Sequence, residues 1–328
     1  MIWRAMTAAA RDKPAMTASD QPQTIVDAAP LTGLQTLVSY TAWPGLMIAC
    51  VSLTALGMAY DQPILGFNGA YVLLGITLLL LERWMTHERT WLASDGQTFA
   101  NIAHTLLNKG MVQAAAAVTT LIVVVEAVDP QPGMLWPTEW PQWAQIILGL
   151  FIAEFGFYWA HRLGHEVSWL WPFHAVHHSV TRLWVINTGR FHFVDTALSV
   201  ALSQPLLYLA GAPVEVFMWV GGITAFSGLL THTNADLKTG WLNYIFNTPQ
   251  LHRWHHSKVV AEGNSNYGEV LMAYDLLFGT WLLPNRRPPA DIGIREEMPA
   301  GFGAQLAYPF RTLRTMRKAR AAAVLPGE

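Results

Sequence analysis

The sequence has very little cysteine, and less charge than a soluble protein of its size. Its single cysteine, Cys50, excludes an internal disulfide framework, a CxxC zinc site and an internal iron–sulfur cluster. Any electrons the chemistry requires must therefore come from another protein or a bound carrier. Charged residues make up 13% of the chain, about half the usual share, which argues against two soluble domains. A net charge of −2 carries no basic footprint for nucleic acid. The first thirty residues hold no apolar run long enough for a signal-peptide core and read as a disordered tail, residues 1–30. No low-complexity linker divides the chain.

What the sequence has in excess is apolar surface. Hydrophobic residues reach 52%, and fifteen tryptophans, many flanking apolar runs, suit anchoring at a membrane interface. Crossing a bilayer takes about 20 mostly apolar residues, and the stretches 42–60, 64–82, 111–128 and 143–160 approach that length. A fifth stretch, 196–232, is interrupted by Gly211-Ala212-Pro213 and suggests a helical hairpin with arms short for full spans. No Lys or Arg lies between Lys13 and Arg83, between Lys109 and Arg162, or between Arg190 and Lys238. All twenty basic residues can thus occupy one side, with Asp61, Glu126, Asp129, Glu139 and Glu215 in the opposite loops. The positive-inside rule then places both termini in the cytoplasm. The basic run Arg311–Arg320 falls on the same side, as a solvated helix or one touching anionic headgroups. The expected fold is an all-α polytopic membrane protein with about four transmembrane helices, a short helical hairpin, and a helical histidine-rich cap on the cytosolic side.

Ten of the twelve histidines fall between residues 161 and 256. His161 and His165 form an HxxxH pair. His174, His177 and His178 form an HxxHH set, and His252, His255 and His256 form another. Positions i, i+3 and i+4 share a helix face, so each set can aim two or three imidazoles at one point. A single HxxxH at a helix end is more often an interfacial pair than a metal site. Eight imidazoles gathered at one membrane face are different, because they would be costly to desolvate unless a metal offsets the cost. Eight ligands exceed the usual four of one zinc and fit two metals. HExxH is absent, since the first set reads HRLGH, which disfavours a zinc hydrolase. His192 and His232 are candidate additions to the ligand set, whereas His87 and His104 stand apart from it.

Glu154 and Tyr158 share a helical face with His161 and His165. A carboxylate in that apolar helix needs a partner, and orienting a ligating imidazole is one role open to it; an ordinary hydrogen-bonded glutamate is the other. Asp195, Asp236 and Asp275 are similar candidates, against plain capping or surface roles.

From Glu154 to Pro284 the chain resembles the fatty acid hydroxylase superfamily, also called the sterol desaturase family. The resemblance is carried by HRLGH (161–165), LWPFHAVHHS (170–179), RFH (190–192), THTN (231–234), NTPQLHRWHHS (247–257), NSNYG (264–268) and YDLLFGTWLLP (274–284). One departure is Tyr274, where relatives usually carry tryptophan. The resemblance implies two iron ions held by the histidines of the three boxes, with His232 and His192 as candidate additions, O2 as co-substrate, and a lipid substrate. It also implies a separate electron donor, a ferredoxin- or cytochrome-type reductase chain, since no cytochrome domain is fused. The expected activity is hydroxylation or desaturation of an aliphatic C–H bond, with a histidine-rich zinc hydrolase as the alternative. A metal transporter is disfavoured because helices 42–60, 64–82 and 111–128 contain no histidine. The expected organisation is transmembrane helices over 31–142, a catalytic domain over 143–285 and a basic cytosolic tail over 286–328. The expected location is a bacterial inner membrane.

Overall fold

A computed structural model describes residues 31–127 and 135–324, so the expected disordered tail and Asp129 lie outside the described residues. The described chain is helical and contains no strand, only isolated bridges. Four of its helices are long and apolar enough to cross a membrane: α1 (Gly33–Ala59), α2 (Pro63–Trp84), α5 (Gln142–Glu166) and α8 (Val214–His232). Between them lie the short α3 (Thr98–Ala103), a π-helical stretch His104–Gly110, and α4 (Met111–Ala127). After α5 come α6 (Trp171–His178) and the shorter apolar helix α7 (Phe193–Leu209), followed beyond α8 by α9 (Pro249–His255), α10 (Val260–Gly263), α11 (Ala273–Phe278) and α12 (Phe302–Val324).

The spans differ from the sequence expectation in two respects. The expected span 111–128 is described only over α4, 17 residues, and is not one of the four. The second arm of the expected hairpin, α8, is long enough to cross, because Pro213 starts it directly after the Gly211 turn and it runs unbroken to His232. α8 is the most enclosed span, while α1 and α2 present Leu37, Ile48, Leu56, Leu73 and Leu80 outward. Helices satisfy their own backbone hydrogen bonds, so an apolar exterior of this kind suits hydrocarbon.

Close helix contacts rest on glycine. A Cβ at Gly57 would lie 2.6 Å from the Gly66 Cα, and one at Gly156 would lie 2.2 Å from the Leu202 carbonyl oxygen. Small residues therefore set the α1–α2 turn and the α5–α7 crossing. α8 packs between two apolar clusters, one with Trp43, Leu74, Leu78 and Phe226, the other with Leu150, Ala153, Leu207 and Val216.

Buried polar residues join the spans to the loops of the cap. Glu82, near the end of α2, accepts hydrogen bonds from the backbone N–H groups of Val185 and Asn234, both at 2.9 Å, and from the Thr233 hydroxyl at 3.3 Å. Glu154, in α5, accepts from the backbone of Glu269, Val270 and Leu271 at 2.6, 2.9 and 3.0 Å, drawing that loop into the bundle. The Arg190 guanidinium is wholly buried and bonds Val176, Gln97, Asn101 and Ser179. The basic tail is not free along its length: α12 packs on α6, and buried Gln305 accepts from His104 Nε2 at 3.0 Å.

Candidate metal centre

The ends of α5, α6, α8 and α9 meet at the cap and bring nine histidines into two groups. His161, His165, His174, His178 and His255 form one; His177, His232, His252 and His256 form the other. Within each group the ligand nitrogens lie within 4.8 Å of one another.

Each HxxHH set is divided between the groups, which corrects the expectation that a set aims at one point. His174 and His178 serve the first group and His177 the second; His252 and His256 serve the second and His255 the first. Helix geometry gives the reason. Relative to residue i, residue i+4 is rotated about 40° one way and i+3 about 60° the other, so the i and i+4 side chains pair while i+3 diverges. The two helices face each other through these rings at the cap and supply both groups at once. The groups adjoin, with the His178 and His256 rings 4.5 Å apart between centroids.

Most of these imidazoles are oriented through Nδ1. His161 Nδ1–H donates to the Tyr267 carbonyl at 2.8 Å, His255 to that of Ser265 at 2.6 Å, and His177 to that of Arg190 at 3.3 Å. His174 donates to the Asp195 carboxylate at 3.0 Å, while His165 and His232 donate to the side-chain oxygens of Asn264 and Asn187, both at 3.1 Å. A proton fixed on Nδ1 leaves the Nε2 lone pair for a metal.

Those inward nitrogens fit an ion. Nε2 of His161, His174 and His255 is buried without a hydrogen-bond partner. Elsewhere Nε2 atoms face each other at 3.0 Å (His165 and His178; His232 and His252) and 3.1 Å (His252 and His256). Neighbouring ligands about 2.1 Å from a shared ion have about this separation. Burial and repulsion among the rings hold His177, His178, His252, His255 and His256 well below the ordinary histidine pKa, so they are neutral donors. An all-imidazole donor set suits iron as well as zinc or copper.

The other sequence candidates fall in different places. His192 stands outside both groups: its Nδ1 accepts the Val194 N–H at 3.1 Å as the N-cap of α7, and its Nε2 faces the Leu306 carbonyl at 3.3 Å. Nearness in sequence to the boxes does not carry it to the metal centre, because the chain turns into α7 at that residue. Glu154 reaches no histidine; its oxygens are taken by the loop backbone. Tyr158 contacts Thr280 and Arg162. Asp275 holds the Tyr267 and Gly268 N–H groups at 2.8 and 2.7 Å, one step behind His161. Asp236 pairs with His87, 3.4 Å away. Of the acidic candidates, Asp195 alone touches a histidine of the two groups. Asn187, Asn264 and the Ser265 carbonyl were not singled out from the sequence. NSNYG and RFH flagged their neighbourhood, but no spacing rule assigns a loop amide to an imidazole.

A cavity of about 710 Å³ reaches the first group at His161 and His174, a size typical of a ligand site. Thr196, Val200 and Gln204, on successive turns of α7, line it together with Phe157, Phe217 and Met218, and Ile64 and Phe67 are contributed by α2. A chamber of about 20 Å³, enough for about one water-sized molecule, lies against His161 of the first group and His177, His232 and His252 of the second.

Membrane-spanning helices around two histidine groups and an apolar cavity define a membrane metalloenzyme acting on lipid. Residues 146–280 match the fatty acid hydroxylase family. The chain is 53% identical over 284 residues to ornithine lipid hydroxylase OlsE of Rhizobium tropici, covering 84% of this chain and 85% of that protein. It is 31% identical over 147 residues to alkylglycerol monooxygenase of Xenopus tropicalis, covering 45% and 32% of the two chains. It is also 28% identical over 143 residues to a Delta(7)-sterol 5(6)-desaturase of Gibberella zeae, covering 42% of each. No solved structure matches. The chain belongs to the fatty acid hydroxylase family, which is iron-dependent, and is a membrane-bound, oxygen-dependent lipid hydroxylase or desaturase.

Proposed function

We propose that this enzyme hydroxylates an aliphatic carbon of a membrane lipid whose head group is an amino acid, of the ornithine lipid type. The observation that carries this reading is the apolar cavity ending on His161 and His174, together with 53% identity to an ornithine lipid hydroxylase across most of both chains. His161, His165, His174, His178 and His255 would hold one iron, and His177, His232, His252 and His256 a second. Bound iron supplies the redox chemistry that turns O2 against an unactivated C–H bond. The reaction consumes the lipid, O2, two electrons and two protons, and gives an alcohol and water.

The residues of the chain set the conditions for that chemistry. Asp195 and the loop acceptors lock the tautomers of six imidazoles, which keeps their Nε2 atoms aimed inward. Phe157, Phe191 and Phe217 keep the cavity dry beside the centre. Asp275 fixes the loop whose Tyr267 carbonyl orients His161. His192, in this reading, caps α7 and binds no metal. With one cysteine in the chain, the two electrons come from a separate redox protein. The basic side of the protein, with the metal centre, faces the cytoplasm of a bacterial inner membrane.

The test is purified protein supplied with iron, a reductase system, ornithine lipid and O2 labelled with oxygen-18. Incorporation of one labelled oxygen atom into the lipid is the expected result. Loss of two hydrogens without incorporation would make the enzyme a desaturase, and unlabelled oxygen in the product would point to hydrolysis by water.

A further inference from the structure

Lys109 and Glu269 carry opposite charges and line both the large cavity and the small chamber at the histidines. Neither side chain has a hydrogen-bond or ion-pair partner among the described residues. The Lys109 ammonium lies over the Phe191 ring, 4.6 Å from its centroid. Glu269 engages its neighbours through its backbone, its N–H donating to Glu154 and its carbonyl accepting from Ser227. Charges lining an intramembrane cavity are costly without a partner, and one cation–π contact offsets only part of that cost. Asp195, the other acidic residue of the cavity, is already engaged by His174.

Both charges are placed by specific features of the fold. Lys109 lies in the π-helical stretch, where wide turns bring it beside the cavity while Asn108 holds the Phe191 carbonyl at 3.1 Å. Glu269 is carried into the bundle by the loop that Glu154 grips. Farther from the histidines the lining holds no charge, only apolar and neutral polar side chains such as Val200, Phe217 and Gln204.

We infer that Lys109 and Glu269 are specificity-determining residues that bind a zwitterionic lipid head group, Lys109 its carboxylate and Glu269 its ammonium. The head group then sits beside His161, with the acyl chains in the uncharged part of the cavity. This inference rests on the amino-acid-lipid reading proposed above. Ornithine joined to its acyl chains through one amine keeps a carboxylate and a second, charged amine. A sterol or an alkylglycerol offers neither charge and would leave both residues unpaired, so the same pair also selects against those lipids.

The test is equilibrium binding to the full-length protein in detergent micelles. The probe is an ornithine lipid with a fluorescent acyl chain, compared with its carboxyl methyl ester and with its N-acetylated form. Wild-type protein is expected to bind the intact lipid roughly 10- to 100-fold tighter than either blocked form, the scale of a lost charge-assisted contact. Lys109→Met should abolish the preference over the ester and keep the preference over the acetylated form; Glu269→Gln should do the reverse. Lys109→Arg and Glu269→Asp should retain both preferences, separating charge from folding. Bound iron should be unchanged in all four variants, because neither residue belongs to a histidine group. Wild-type discrimination in the neutral variants would overturn the inference, as would wild-type protein that oxidises ornithine lipid yet binds the three forms alike. Wild-type protein that neither binds nor oxidises ornithine lipid would instead overturn the substrate reading on which the inference stands.

Discussion

The two histidine groups draw on the same helices, α6 and α9, yet they are held by different loops. In the first group, His161, His165 and His255 lean on one loop through Tyr267, Asn264 and Ser265, and His174 leans on Asp195. In the second, His177 and His232 lean on a different loop, through Arg190 and Asn187. The first group also opens onto the cavity and includes two half-buried rings, whereas the second is wholly buried. One pair of facing helices can therefore supply histidines to both sites, while the surrounding loops make the sites different. In the proposed reading the group on the cavity is the one that would meet substrate, with the enclosed group beside it.

This contrast can be broken by removing one ligand at a time. His255→Ala and His252→Ala should each lower activity by more than about 100-fold, beyond the range for partners that only orient a ligand. In iron-loaded protein, Mössbauer spectra should lose one iron signal in the first variant and the other signal in the second. Loss of the same signal in both would refute the division into two groups.

A smaller effect sharpens the comparison from outside. Asn264→Ala and Asp195→Asn should weaken metal binding at the first group, and Asn187→Ala at the second, each by roughly 10- to 100-fold. Metal titration followed by isothermal calorimetry would show one perturbed binding step per variant. The smallest effect at the centre is expected from Glu154→Ala. It strands three loop N–H groups and should cost about 3 kcal/mol of stability, read as a lower thermal midpoint. Iron per folded molecule should be unchanged, since Glu154 touches no histidine.

The helical character, the membrane and the meeting of the boxes were legible because each depends on local pattern. Apolar runs of bilayer length make spans, and i, i+4 spacing pairs His174 with His178 and His252 with His256. The division of the boxes was not legible. It depends on how α6 faces α9, and HxxHH is the same string whether its members share an ion or not. Glu154 illustrates a second limit. Its spacing puts it on the face of His161 and His165, but the loop at 269–271 enters the bundle and claims its oxygens first. His192 shows the converse, a histidine adjacent in sequence that the start of α7 turns aside. Lys109 entered the sequence reading only as one of the basic residues of one membrane side, because a π-helical stretch has no periodicity that apolar patterning reveals.

Glu82 carries a consequence for how such an enzyme can change over time. Its carboxylate, on a helix outside the segment that matches the family, closes on Val185 and Asn234, which lie two positions from Asn187 and His232. The catalytic segment is therefore not a portable cassette. Transplanted onto another pair of membrane helices, it would arrive with two buried donors unanswered at the rim of the enclosed group. The lipid-facing surface of α1 and α2 is free to drift with the bilayer it inhabits, but at one turn of α2 the anchor and the catalyst must be inherited together.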